Sequence, residues 1–327
     1  MSLPAFKLLR PRTIEEAIAL MVKHGSDVQI LAGGTDLLPS MKQRLFTPAY
    51  VMDIRNIEEM QGIRTVFGAG VEIGALTPLS VIEDSEFILR SYRVLHEAVS
   101  TVASPILRNM GTLGGNICLD TRCVWYNQSL QWRASCGFCI KKDGDLCHVA
   151  PGGKRCWAAF SADTPPALLC LGAELELVGP SGFRRIPLRD FYTGIGEARM
   201  KLGKSEIVTR VFLPESSAGW KGSYQKLRIR GSIDYPLAGV AVAFRKNGGP
   251  VTAARVAVTA VNPAPLLIPA AEHALVGKRV DEHVATVVGE LAAKTARPLT
   301  TSALTPEYRR EMVKVLAKRA VLAAASA

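Results

Sequence analysis

The stretch Val28-Gln29-Ile30-Leu31-Ala32-Gly33-Gly34-Thr35-Asp36-Leu37 carries the first decision about the fold. Val28 to Ala32 read as a short buried strand, which runs straight into Gly33-Gly34-Thr35-Asp36. Paired glycines admit positive φ and carry no Cβ. Successive N–H groups can then converge on an anion, with the Thr35 hydroxyl as a further donor. A plain tight turn is the competing use of the same glycines. Upstream, Thr13-Ile14-Glu15-Glu16 is a capping-box pattern, and Ile14, Ala17, Ile18, Met21 and Val22 share one helical face that Gly25 closes. Downstream, residues 37–42 read as a helix and 50–54 as a strand, so the opening alternates as small α/β units do.

Further along, Val71-Glu72-Ile73 predicts a strand and residues 93–101 a helix. A second glycine-rich stretch follows, Asn109-Met110-Gly111-Thr112-Leu113-Gly114-Gly115-Asn116, with the same anion-binding chemistry as the first. Two such loops could embrace a pyrophosphate from both sides. Residues 121–158 show little periodicity and read as an irregular loop. Strand alternation resumes over 173–178, with a turn at Pro180-Ser181-Gly182. Strands over 223–230, 240–245 and 251–261, then helices over 281–294 and 306–325, make the last third different in character. Pro, Ser and Gly cluster over 215–221, which places a boundary between domains 1–218 and 219–327.

The 327 residues are 48% hydrophobic and 21% charged, the composition of a folded globular protein. No apolar run is long enough to cross a membrane, and no basic-then-apolar leader opens the chain, so a cytoplasmic protein is expected. Neither G-x-G-x-x-G nor G-x-x-x-x-G-K-[ST] occurs, which disfavours a Rossmann dehydrogenase and a P-loop NTPase. The formal charge of +11 fits an anionic cofactor or an acidic protein partner, and equally plain solubility. The basic residues are scattered and aromatics are 6%, so nucleic-acid binding is not expected. No Ser–His–Asp or Cys–His pattern marks a nucleophile.

Of seven cysteines, five lie in the irregular segment: Cys123, Cys136, Cys139, Cys147 and Cys156. A local group of thiols in such a chain reads as a metal or iron–sulfur site, a disulfide, or buried thiols. Cys136-Gly137-Phe138-Cys139 is the one C-x-x-C, and zinc usually takes two close pairs. His148 adjoins Cys147 and could support a ligand from behind.

At this point a resemblance emerges. Ala32-Gly33-Gly34-Thr35-Asp36-Leu37, residues 108–116, Ser161-Ala162-Asp163, Tyr224-Gln225-Lys226 and Arg230-Gly231-Ser232-Ile233-Asp234-Tyr235-Pro236 resemble, in order, the blocks of FAD-binding subunits of the molybdenum hydroxylase (xanthine oxidase) family. The resemblance implies an α+β chain: a two-subdomain FAD-binding fold of the vanillyl-alcohol-oxidase (PCMH) type, a cysteine-rich insertion, and a C-terminal α+β domain. It implies that Ile30, Leu31, Ala32, Gly33, Gly34, Thr35, Asp36 and Leu37 hold the pyrophosphate, and that Thr112, Leu113, Gly114, Gly115 and Asn116 form a second cradle. Val102, Val208 and Lys226 would lie by the flavin, and Asp163 would meet the cofactor's polar groups. A solvated strand position competes for Lys226, and a helix cap for Asp163.

The insertion resembles that of flavin subunits of the 4-hydroxybenzoyl-CoA reductase type, which carries a 4Fe–4S cluster; the matching positions are Cys123, Cys139, Cys147 and Cys156. Lys141, Lys142, Lys154 and Arg155 surround them, and Cys136 is a rival ligand. The resemblance further implies a molybdopterin-containing large subunit and a 2Fe–2S small subunit, assembled as a dimer of heterotrimers, with ferredoxin as electron donor. The alternatives are an oxidative relative acting on aldehydes or purines, and a redox-sensing module without turnover. A zinc-stabilised nucleic-acid binder is a remoter one.

Overall fold

The computed structural model describes residues 2–327. The chain opens with β1 (Lys7–Leu9), β2 (Val28–Leu31) and β3 (Tyr50–Asp53), a parallel sheet with β3 in the middle. Helix Ile14–His24 joins β1 to β2, and helix Leu37–Lys42 joins β2 to β3. Thr13 Oγ1 accepts from the Glu16 N–H at 3.2 Å, the first half of a capping box. Glu16 reaches one residue further back than the pattern predicts, accepting from the Arg12 N–H at 2.7 Å. Gly25 ends the helix at φ 56°.

The next five strands are β4 (Ile63–Val66), β5 (Gly70–Gly74), β6 (Glu174–Gly179), β7 (Gly182–Pro187) and β8 (Ile207–Pro214). They form an antiparallel sheet in the order β4-β5-β8-β6-β7. Short helices and the cysteine segment lie between β5 and β6. The expected glycine loop near 112 is partly helical: Thr112 caps helix Leu113–Ile117. The cysteine segment has one helix, Leu130–Ser135, and otherwise turns. Its neck is closed by Arg122 and Ala159, which exchange backbone hydrogen bonds at 2.7 and 2.9 Å.

The last sheet is antiparallel, β12-β11-β10-β9, built from β9 (Lys221–Leu227), β10 (Ala238–Lys246), β11 (Val251–Thr259) and β12 (Leu266–Leu267). β9 stops three residues short of the predicted end. There the Arg230 N–H donates to the Asp234 carboxylate at 2.8 Å and turns the chain out of the sheet. Helices Pro269–Leu275 and Pro306–Ser326 lie on one face of this sheet, and helix Glu282–Thr295 packs against both of them. The other face meets helix Thr164–Leu171, every residue of which is buried.

The period-two rule sorts β10 between these two layers. Val240, Val242 and Phe244 point to the C-terminal helices, while Ala241 and Ala243 point to the core of the preceding sheets. Small residues on that second face let the buried helix approach closely. The helix itself carries Pro at its first turn and ends at Gly172 in the left-handed region, φ 72°. No helix among the described residues is long and apolar enough to cross a membrane.

Candidate functional site

A cavity of about 490 Å³ lies between the parallel sheet and the five-stranded sheet. The loop after β2 forms one wall. Among the described residues, none accepts a hydrogen bond from the N–H groups of residues 32–36, and the Thr35 hydroxyl likewise has no partner. Buried or half-buried N–H groups are nearly always paired, so a row of free ones beside a cavity is the signature of an anion cradle. Gly34 adopts φ 74°, and Gly33 lets the loop press against the second glycine stretch. A Cβ on Gly33 would fall 2.0 Å from the Met110 carbonyl oxygen.

The second stretch is built differently. Leu113 and Gly114 donate to Thr77 and Ala75 carbonyls, Gly115 to Thr112 Oγ1, and Asn116 to the Thr112 carbonyl. Its donors are therefore spent on fixing the loop. What it offers the cavity is surface: Thr112, Gly114, Gly115 and Asn116 line the wall, and Asn116 Oδ1 anchors Thr164 through bonds of 2.7 and 3.2 Å.

Ile30, Ala32, Gly33, Gly34, Thr35, Asp36, Leu37, Val102, Asp163 and Val208 also line the cavity. Leu31, Leu113 and Lys226 do not. Leu31 stays in the strand, and Leu113 is fully buried in the core. Lys226 stands behind Asp163, 3.0 Å from its Oδ2, and also donates to the Thr101 carbonyl at 2.9 Å. Both side chains are almost wholly buried, so Lys226 is no solvated strand residue. Asp163 precedes helix Thr164–Leu171 yet makes no capping bond; its other oxygen accepts from the Tyr224 hydroxyl at 2.8 Å. Burial raises the Asp163 carboxyl and lowers the Lys226 ammonium, and each opposes the shift of the other.

Sequence reasoning did not assign Arg122 or Tyr235. Ile233, Asp234 and Tyr235, on the turn that ends β9, reach back to line the cavity. Tyr235 donates to Asp36 Oδ1 at 2.9 Å, and Arg122 donates to the same oxygen at 3.1 Å. The Arg122 guanidinium stacks on the Tyr235 ring, 3.9 Å from its centre. The Arg-Gly-Ser-Ile-Asp-Tyr-Pro block was the available signal for Tyr235; nothing local signalled Arg122.

The cysteine segment abuts this cavity. Phe46 lines the cavity and packs on a small buried cluster of Leu45, Cys123, Tyr126, Cys139, Cys156 and Ala158. Cys147 is buried as well and lies near enough to Cys123 and Cys156 to act on both electrostatically. Cys136 is half-buried and outside the cluster. All seven cysteines are free thiols. Burial pushes the Cys123 thiol up to about 11 and the Cys156 thiol up to about 12. Among the described residues, no three His, Cys, Asp or Glu side chains stand close enough to hold a single metal ion. His148 stacks on Trp125 and bonds the Phe138 carbonyl, next to Cys139.

A family model described as the FAD binding domain in molybdopterin dehydrogenase matches residues 4–216. Another, the CO dehydrogenase flavoprotein C-terminal domain, matches residues 222–324. The chain belongs to the FAD-binding subunits of the molybdenum hydroxylases. It is 32% identical over 317 residues to the carbon monoxide dehydrogenase medium chain of Afipia carboxidovorans, covering 97% of this chain and 96% of that one. It is 27% identical over 318 residues to the glyceraldehyde dehydrogenase medium chain of Sulfolobus acidocaldarius, covering 97% of each. A solved Cu,Mo-CO dehydrogenase chain matches with a TM-score of 0.82 at 31% identity, over 100% of this chain and 99% of that one. Quinoline 2-oxidoreductase from Pseudomonas putida 86 matches at 0.79 and 25% identity, over 100% and 99%.

FAD is thus the family's ligand, and the free N–H row after β2 fits its pyrophosphate. The apolar wall of Ile30, Val102, Leu107 and Val208 suits its ring systems, which leave water for such a surface.

Proposed function

We propose that this chain is the FAD- and 4Fe–4S-containing electron-transfer subunit of a molybdenum enzyme of the 4-hydroxybenzoyl-CoA reductase type. Its partners would be a molybdopterin-containing large subunit, where the phenolic hydroxyl is removed, and a 2Fe–2S small subunit, in a dimer of heterotrimers. Ferredoxin is the proposed donor, and the net charge of +11 favours docking of an acidic carrier. The observation that carries the reading is the set Cys123, Cys139, Cys147 and Cys156: all four thiols are buried, and three of them share the small cluster that packs on Phe46 of the FAD cavity.

Bound FAD supplies a junction between one-electron carriers and a two-electron reaction. The chain's residues prepare that junction. The N–H groups of 32–36 offset the pyrophosphate charge. Asp163 is held in one orientation by Lys226 and Tyr224. Cys123, Cys139, Cys147 and Cys156 would ligate the cluster as thiolates. Buried Lys141 brings a cation near Cys156, which favours a net-negative cluster.

Iron and acid-labile sulfide on anaerobically purified protein, with EPR after reduction, test the cluster. Turnover of 4-hydroxybenzoyl-CoA with a strong reductant tests the substrate. A second reading rests on the relatives themselves, which are named as dehydrogenases of carbon monoxide and glyceraldehyde. In an oxidative enzyme of that kind electrons would leave through this subunit, and the reductive assay would be silent while an aldehyde or purine was oxidised.

A further inference from the structure

We infer that Arg122 is a positioning residue that couples FAD binding to the order of the cysteine segment. Its main chain and its side chain do two different jobs. The main chain closes the neck of the segment: its N–H and C=O both bond Ala159, at 2.7 and 2.9 Å. Cys123 is the next residue and enters the buried cysteine cluster. The side chain turns the other way, to the mouth of the FAD cavity. There it donates to Asp36 Oδ1 at 3.1 Å and lies over the Tyr235 ring, 3.9 Å from its centre.

Asp36 is the last residue of the loop with free N–H groups. Its carboxylate beside an arriving diphosphate is repulsive unless a cation offsets it. Arg122 supplies that cation, and the Tyr235 hydroxyl supplies a second donor at 2.9 Å. A planar guanidinium bonds in its plane and stacks on its face at once, which a lysine cannot do. Three segments distant in sequence therefore meet at one side chain. When FAD fixes the loop, Asp36 fixes Arg122, and Arg122 fixes the neck. Linkage makes the effect mutual: whatever orders the segment tightens FAD by the same factor. Arg122 and Asp36 are each 27% exposed, so solvent screens the pair and the coupling sits at the low end, roughly fivefold to tenfold.

The test uses the whole complex, reversibly stripped of FAD. Hydrogen–deuterium exchange over residues 121–159 is followed with and without FAD, alongside the FAD dissociation constant from fluorescence. FAD should slow exchange at the neck severalfold in the wild type. Arg122→Ala should weaken FAD by roughly tenfold and abolish that protection. Arg122→Lys should recover part of the affinity; a lysine no better than alanine overturns the ion-pair route. Tyr235→Leu, at the partly exposed tip of its turn, leaves the neck backbone untouched and guards against misfolding of the first variant. It should lose the protection too. FAD-dependent protection that persists in both variants, or unchanged FAD affinity in both, overturns the inference. Exchange at the neck is read whether or not iron is present, so failure of the cluster reading leaves this result separately interpretable.

Discussion

Lys141 Nζ lies 2.9 Å from Asp120 Oδ1. A cation rooted in the cysteine segment is thereby bonded to a carboxylate that lines the FAD cavity. The same ammonium donates to Thr121 O and Oγ1, each at 2.6 Å, so all three of its protons are placed. Arg199 approaches the same Asp120 oxygen at 3.3 Å.

This arrangement sets a pH dependence. Burial alone would raise the Asp120 carboxyl, but Lys141 and then Arg199 more than reverse it, leaving it below its ordinary 3.8. On acidification the unfolded chain takes up the proton first. The contribution to stability is complete above pH 3.8 and disappears as pH falls through the folded value. The acid limb of a Tm–pH profile should be steeper in the wild type than in Asp120→Asn; equal slopes would contradict the assignment.

Gly33 predicts a steric result. In Gly33→Ala the new methyl would sit 2.0 Å from the Met110 carbonyl and 2.9 Å from Gly111 Cα, so the two glycine loops must part. FAD affinity should drop by about tenfold or more, about 1.4 kcal/mol. Gly115→Ala meets only Thr112 Oγ1 at 3.0 Å and should lose less. Fluorescence titration of FAD into stripped protein ranks the two, and the reverse order would refute the packing argument.

The Asp163–Lys226 pair predicts non-additivity. Lys226→Met strands a buried carboxylate and should cost about 3–5 kcal/mol in urea unfolding. Adding Asp163→Asn removes the stranded charge and should restore most of that stability. A double variant as unstable as the sum of the singles would show that the two side chains do not act as a pair.

For the cysteines, Cys139→Ser should abolish the iron content and the EPR signal of the reduced protein, whereas Cys136→Ser should leave both. Cys139 is buried in the cluster and Cys136 stands outside it. Iron retained in the first variant and lost in the second would exchange their roles.

Local chemistry was readable wherever it needed few partners. Thr13, Gly25 and Thr305 announced helix ends, and Gly33-Gly34 announced a loop with free donors. Of the short helices between β5 and β6, Arg93–Ser100 was legible from its buried face, while the four- to six-residue ones have too little length to display a period. Helix Thr164–Leu171 hid its face by being buried on all sides. The second glycine stretch shows the limit of a motif: Thr112-Leu113-Gly114-Gly115-Asn116 advertises donors that Thr77 and Ala75 then consume. Tyr235 and Arg122 reach Asp36 across 199 and 86 residues. Contacts of that span leave little local pattern: Tyr235 had only the block it sits in, and Arg122 had none.

β10 shows valine and phenylalanine to one side and alanine to the other. Severed near residue 218, the carboxyl-terminal piece would keep its own helices but bare an alanine-paved floor shaped for a neighbour it no longer has. Chimeras that trade one half for a distant cousin's must trade the mating side of that seam as well, or leave a gap where Thr164–Leu171 should nest.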